Sequence, residues 1–407
     1  MNFELKAPAT QYGLVTLSYW AFTLSDGALR MLVVLFFHQL GYSPIEIAGL
    51  LVLYELCGVI TNLYGGWLAT TIGLTITMQA GLALQIVALS MLMVDSSILN
   101  VVYVMIAQAL SGIGKDLNKM GAKASIKSLV PADAQGRLYR WIALLTGSKN
   151  ALKGVGFFLG GWLLATVGFQ SAVATMATAL SGVLILSVLM LDRSMGIAKK
   201  PQPLKHLFSK SSAVNRLSAA RFFLFGSRDI WFVVALPVFL QSQLQWSYVQ
   251  VGSMMAAWVM AYGVVQTLAP KVTNTGNKET NITHPSGSTA FKWAVLLCLI
   301  PAAIGATLYA AGSDPSLPAI VLVTGLMIFG AFFAVNSSIH SYLIVAYARE
   351  DGTSLDVGFY YMCNAAGRLV GTLLSGLVYQ QFGLTACLLL SSLMLVATAA
   401  ISKKLPA

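Results

Sequence analysis

The chain has 407 residues, of which 57% are hydrophobic and only 10% charged, and its formal net charge is +11. Soluble domains hold roughly 25% charged residues, so this composition excludes a soluble enzyme or a soluble binding module. The basic excess does not mark a nucleic-acid binder either, because it collects in alternate segments between long apolar runs.

Those runs occupy 12–37, 46–69, 74–94, 99–122, 138–166, 171–191, 214–240, 249–270, 293–311, 318–346, 357–380 and 385–401. Each is long enough for a helix to cross a hydrocarbon core of about 30 Å. The apolarity is continuous rather than alternating over ~10 residues, which predicts helices and not barrel strands. The first run is too long and too polar for a cleaved signal peptide. With the amino terminus in the cytoplasm, the inner loops receive Lys6, Lys123, Lys127, Arg137, Arg140, Arg193, Lys199, Lys200 and most of the remaining cations. The outer loops then receive none, as the positive-inside rule requires. The expectation is an all-α, multi-pass protein of the bacterial inner membrane with twelve transmembrane helices and both termini cytoplasmic.

In chain order, the first span carries Asp26 and Arg30, one helical turn apart and predicted to pair. Tyr19 and Trp20 lie on the same span, and Glu55 is a lone acid in the second. The turn Gly66 to Gly73 follows a GxLAxxxG pattern, with Thr70 and Leu74 where charged members usually stand. The fourth span holds Lys115, Asp116, Asn118 and Lys119, a cationic stripe suited either to an anion funnel or to headgroup contact. The fifth holds Lys149 and Lys153 on one face with no acid within a turn, followed by glycines at 154, 156, 160 and 161 that permit close helix packing. Residues 192–212 are basic and contain Pro201 and Pro203, which predicts a cytoplasmic linker between an amino-terminal bundle, 1–191, and a carboxy-terminal bundle, 213–407. In the seventh span Arg228 is expected near the middle, Arg221 near the cytoplasmic rim, and Asp229 pointing away from Arg228. Trp231 and Tyr360 are further aromatic candidates. His340 is a lone titratable group in the tenth span, and Arg368 lies in the eleventh. Asn281 opens a glycosylation sequon on a cytoplasmic loop, where it has no use.

Setting aside Glu46, Arg140 and Arg216 in the first three residues of their spans, the spans contain eight cations against four acids, Asp26, Glu55, Asp116 and Asp229. Intramembrane charge costs about 2.5–3.5 kcal/mol per residue on insertion scales and normally lines a wet cavity or finds partners. Four cations lack an acid, and an anionic substrate would supply it. The candidate binding residues are Arg30, Lys115, Lys119, Lys149, Lys153, Arg228 and Arg368. Asp26, Glu55, Asp116, Asp229 and His340 are candidates for proton binding or charge balance. Cys57, Cys298, Cys363 and Cys387 fall in four separate spans and read as apolar filler, with no metal site. No nucleotide loop, metal constellation or nucleophile–base pair suggests an enzyme or a cofactor.

The two halves repeat. Gln39 to Ala48 recurs as Gln243 to Gly252, and Lys153, Gly156, Gly161 and Gly168 match Arg368, Gly371, Gly376 and Gly383 at a constant spacing of 215. A parallel six-plus-six repeat resembles the major facilitator superfamily, whose site lies between the halves. Several charged stretches resemble, more narrowly, the ArsJ-type organoarsenical efflux permeases of that superfamily. They are YWAFTLSDGALRML (19–32), QALSGIGKDLNKM (108–120), LTGSKNALKGVGFFLGG (145–161), RDIWFVVALP (228–237) and DVGFYYMCNAAGRLVGTLLSG (356–376). The resemblance implies export of 1-arseno-3-phosphoglycerate, made by glyceraldehyde-3-phosphate dehydrogenase when arsenate replaces phosphate, and hence arsenate resistance. Arg30, Lys149 and Lys153 would hold one end of such a ligand, and Arg228 and Arg368 the other. Uptake or exchange of a phosphorylated or other organic anion is the rival transport reading. An anion-binding membrane sensor is the rival outside transport.

Overall fold

A computed structural model describes residues 8–129, 135–192, 211–273, 285–310, 316–347 and 353–406. They form α1 (Pro8–Gln39), α2 (Pro44–Leu50), α3 (Val52–Ile72), α4 (Leu74–Met91), α5 (Val101–Leu129) and α6 (Gln135–Met190). The second half contributes α7 (Ser212–Phe232), α8 (Ala235–Ser242), α9 (Tyr248–Thr273), α10 (Gly287–Ala310), α11 (Ser316–Tyr347) and α12 (Thr353–Ser402). Among the described residues there is no strand, and nine helical stretches are long and apolar enough to cross a membrane. Large apolar side chains such as Leu189, 74% exposed, and Leu393, 65% exposed, face outward, as a lipid-facing surface requires.

Several helices extend past the apolar runs, as where α5 reaches Leu129, because backbone hydrogen bonding continues beyond the apolar residues, whereas α4 stops at Met91 within its run. The four-residue gaps expected at 167–170 and 381–384 are also absent. The chain there is helical up to and after a single glycine, Gly168 (φ 76°) and Gly383 (φ 75°), whose left-handed backbone spares a Cβ clash.

At both glycines the chain reverses. Before Gly168, Gly156 lies against Gly27, Gly160 against Ala28 and Met31, and Phe169 just after it stacks on Phe36, so this limb runs alongside α1. Beyond it the chain returns toward the start of α1, where Gln11 donates to the Met190 carbonyl at 3.0 Å and accepts from Asp192 N–H at 3.0 Å. In α12, Gly367 meets Phe222, Gly371 meets Gly226, and Ser375 Oγ accepts from Val234 and Ala235 N–H at 3.2 and 3.0 Å. Past Gly383, Ser391 donates back to the Ser227 carbonyl at 2.7 Å and Met394 packs again on Gly226.

The repeat extends to capping. Ser43 and Glu46 form a capping box at the start of α2, with Ser43 N–H donating to Glu46 at 2.8 Å. Ser247 and Gln250 reproduce it at the start of α9, again at 2.8 Å. Two seams join the halves. In one, Gly161 faces Tyr248 and Gly252, and Asn150 donates to Gln266 at 2.8 Å. In the other, Gly376 faces Pro44 and Ala48, and Ile45 N–H donates to Gln380 at 3.1 Å. The proposed linker beyond Asp192, the side chains of Lys123 and Lys127, and the Asn281 sequon lie outside the described residues or side chains.

Candidate functional site

Between the seams lies a cavity of about 230 Å³. All eight cations of the apolar spans line it: Arg30, Lys115, Lys119, Lys149, Lys153, Arg221, Arg228 and Arg368. Asp26, Asp116 and Asp229 line it too, while Glu55 sits just behind, fully buried. The seven candidates of the sequence reading thus lie around one space, joined by Arg221, which was expected near the rim.

Their pairing differs from the helical-wheel expectation. Asp26 and Arg30 do not pair. Tyr54 of α3 donates its hydroxyl to Asp26 at 2.5 Å, and Arg30 instead donates to Glu55 at 2.5 Å. Glu55 is not a lone acid, since Arg368 of the other half reaches the same oxygen at 2.7 Å. Asp229 does not point away from its neighbour. Its Oδ1 accepts from Arg228 Nε at 2.6 Å, and its Oδ2 from Arg368 Nε at 3.0 Å. The result is a buried chain, Arg30–Glu55–Arg368–Asp229–Arg228, that crosses from one half to the other. Side-chain reach between helices decided these pairs, since the Arg30 guanidinium extends to Glu55 and the Tyr54 hydroxyl to Asp26 across the space between α1 and α3.

The lysines of α5 share one acid. Asp116 contacts Lys119, and Lys115 at 3.7 Å, and Lys119 also donates to Asn62 at 2.7 Å. Both lysines line the cavity. Lys115 additionally sits over the Tyr54 ring, 4.1 Å from its centroid, with Arg30 at 4.8 Å from the same ring.

Two cations have no carboxylate within ion-pair distance among the described residues. Lys153 has the Phe157 ring at 5.6 Å. Arg221 is not at a rim: it is 5% exposed and lines the cavity. Neutral groups hold it, with Asn364 accepting from Nε at 3.0 Å and Ser337 accepting from Nη1 through its carbonyl at 3.1 Å and its hydroxyl at 3.2 Å. Tyr262 donates to the same Ser337 hydroxyl at 3.1 Å and fixes it. Its position seven residues, about two turns, before Arg228 was the available signal for this residue.

The remaining candidates divide. Tyr19 lines the cavity. Trp20 donates to Ser148 at 2.7 Å, Trp231 is buried against Trp258 and Phe329, and Tyr360 lies near the Arg221 guanidinium at 5.1 Å without lining the cavity. His340 is fully buried, does not line the cavity, and neither ring nitrogen has a partner among the described residues. That position removes it from direct contact with a ligand.

A model of the Major Facilitator Superfamily matches residues 15–291. No curated protein sequence matches the chain. Among solved structures, the chain is similar to a POT family transporter in complex with 5-aminolevulinic acid, at 13% identity and a TM-score of 0.76, covering 96% of this chain and 94% of that one. It is also similar to the nucleoside transporter NupG (14%, TM-score 0.72, covering 96% and 98%). The human organic anion transporter MFSD10 (TETRAN) follows at 17%, with a TM-score of 0.66 over 99% and 100%. Likeness at these identities concerns the fold. With the family model matched over more than half its length and the repeated bundles around a central cavity, the chain belongs to the major facilitator superfamily of membrane transporters.

Proposed function

We propose that the protein exports an organic oxyanion bearing two tetrahedral groups, 1-arseno-3-phosphoglycerate, and thereby confers arsenate resistance. The observation that carries this reading is the charge balance of the cavity: eight cations line it against three lining acids and Glu55 behind them. Charges removed from water demand compensation, and a polyanion provides it. Arginine forks match the oxygens of arsenate or phosphate in two-point fashion, and lysines act as movable point charges. The resemblance of the five charged stretches to the organoarsenical permeases selects the arsenate ester among such anions. Glyceraldehyde-3-phosphate dehydrogenase would supply it.

The mechanism is alternating access, with an amino-terminal bundle (1–191) and a carboxy-terminal bundle (213–407) rocking about the two seams. Twelve crossings follow if each of α6 and α12 counts as two, and α2–α3 and α7–α8 as one each. The positive-inside rule then puts both termini in the cytoplasm of a bacterial inner membrane. Moving one charge through 100 mV is worth about 2.3 kcal/mol, so a trianion leaving a negative interior gains roughly 7 kcal/mol. Membrane potential alone sustains export on that scale.

The test is arsenic accumulation in everted vesicles containing the protein. Arsenate alone is compared with arsenate plus glyceraldehyde-3-phosphate, NAD and the dehydrogenase. Accumulation only in the complete mixture is the expected result. Accumulation no greater than in empty vesicles overturns export, and counterflow of 3-phosphoglycerate in the same vesicles would then establish uptake or exchange.

A further inference from the structure

The two halves place an aspartate of the first helix beside a cation of the fifth, but only one half joins them. Phe225-x-x-x-Asp229 in α7 has the spacing of Phe22-x-x-x-Asp26 in α1, and Arg368 repeats Lys153. The packing puts Gly27, one residue from Asp26, at the place of Asp229: a Cβ on Gly371 would meet the Asp229 Cβ at 2.9 Å, and a Cβ on Gly156 would meet the Gly27 Cα at 3.1 Å. In the second half Asp229 accepts from Arg368 at 3.0 Å. In the first, Asp26 accepts from Tyr54 at 2.5 Å, and Lys153 has no carboxylate within 4.0 Å among the described residues. A Cβ on Gly27 would meet the Lys153 carbonyl at 2.9 Å, so Asp26 lies on the turn of α1 packed against Lys153.

Tyr54 is where the halves diverge. The capping boxes align Ser43 with Ser247, which puts Tyr54 opposite Trp258. Trp258 donates its ring N–H to the Leu326 carbonyl at 2.7 Å and leaves Asp229 to the arginines. Tyr54 points its hydroxyl at Asp26 instead, and its ring is held between Arg30 at 4.8 Å and Lys115 at 4.1 Å. Two cations on the ring fix its orientation, and the short hydrogen bond then fixes the carboxylate.

Resting on the reading that the cavity takes an organic oxyanion, we propose that Lys153 binds one oxyanion group of the substrate and that Tyr54 is a positioning residue that keeps Asp26 from occupying it. Asp229 on Arg368 is the occupied counterpart of that empty place. In the first half Lys153 thus lacks a carboxylate, while in the second Arg228 and Arg368 share Asp229, and Arg368 also shares Glu55 with Arg30.

The test is a double-mutant cycle on the purified full chain in lipid nanodiscs, with 3-phosphoglycerate as probe and affinity read by calorimetry. Tyr54→Phe releases Asp26 to Lys153 and is expected to weaken binding at least tenfold. Asp26→Asn alone removes one lining anion and gives the reference edge of the cycle. In the Tyr54→Phe background the same substitution should restore affinity to near that of Asp26→Asn alone. A general loss of packing at Tyr54 would not be rescued by Asp26→Asn, and a general electrostatic effect would appear equally in both backgrounds. Lys153→Gln should weaken binding at least tenfold with no rescue, and Lys153→Arg should retain most of it, which controls for misfolding. Wild-type affinity in Tyr54→Phe or in Lys153→Gln overturns this proposal while leaving the transport reading intact. Absence of binding to the wild-type protein overturns both.

Discussion

Replacing Glu55 by glutamine tests the bridge between the halves. Its one oxygen receives Arg30 at 2.5 Å and Arg368 at 2.7 Å, and the residue is fully buried. At an effective dielectric constant of about 20, two unit charges at these separations attract by roughly 6–7 kcal/mol per contact. Desolvation of the three groups offsets most of that gain. The measured cost of breaking a buried pair by removing one member is about 3–5 kcal/mol, because the remaining charge is left uncompensated. Glu55→Gln has that consequence for Arg30, whereas Arg368 retains Asp229. The variant should therefore be destabilised by about 3–5 kcal/mol, read as an earlier thermal transition of the solubilised protein. It should also respond more strongly to anions. A ligand at 100 times its Kd stabilises by about 2.7 kcal/mol, and an oxyanion that replaces the lost carboxylate should add to this in the variant. Thermal scans of both proteins with and without 3-phosphoglycerate give the comparison. A variant that melts with the wild type, or gains no more from the anion, would refute the idea that Glu55 compensates the two arginines.

Arg221→Lys keeps the charge but loses the fork to Asn364 and Ser337, so vesicle transport should show a KM raised several-fold, and Arg221→Gln a larger loss; equal transport by all three would place Arg221 outside the binding surface. Gly156→Val puts a Cβ 2.5 Å from the Leu24 carbonyl and should cost about 1–3 kcal/mol by forcing α1 aside, measurable as a lower melting temperature. A cysteine pair at Gly161 and Gly252, made after replacing the native cysteines, should cross-link under mild oxidation, because a Cβ on Gly252 lies 3.5 Å from the Gly161 Cα. Transport should stop on oxidation and return on reduction, and transport unaffected by complete cross-linking would refute rocking about that seam.

Hydropathy located the helices because a bilayer imposes one length and one polarity on every span. The repeated glycines at 168 and 383 were legible as a constant spacing, although their role as points of reversal was not. Most of the charges around the cavity were legible as intramembrane charge, because an ionised group in hydrocarbon has few places to go, but Arg221 and His340 were not placed by that argument. Partners were not legible. Asp26 and Arg30 are correctly spaced for a pair along α1, yet the contest is with Tyr54 and Glu55 on α3, and a single-helix periodicity carries no information about a neighbouring helix. Asp229 and Arg228 were separated because adjacent residues leave a helix about 100° apart. A long arginine folds back across that angle, and its Nε reaches Asp229 at 2.6 Å. Arg221 was assigned too shallow a depth because the apolar run begins late, whereas α7 begins at Ser212 and places Arg221 in its third turn.

The repeat separates the residues that frame the cavity from those that give it charge. The halves share capping boxes, reversal glycines and the close contacts of the first and fifth helices, which together define the seams and the frame. Departures from the repeat are concentrated in charge. Arg368 has its aspartate and Lys153 does not; Tyr54 stands opposite Trp258, and Glu55 stands opposite Val259. Each half nevertheless keeps a lining cation with no carboxylate within 4.0 Å among the described residues, Lys153 in the first and Arg221 in the second. The two differ in kind: Lys153 is a point charge beside the Phe157 ring, whereas Arg221 is a fork already held by Asn364 and Ser337. A ligand with two unlike anionic ends would meet a movable charge on one side and a fixed one on the other.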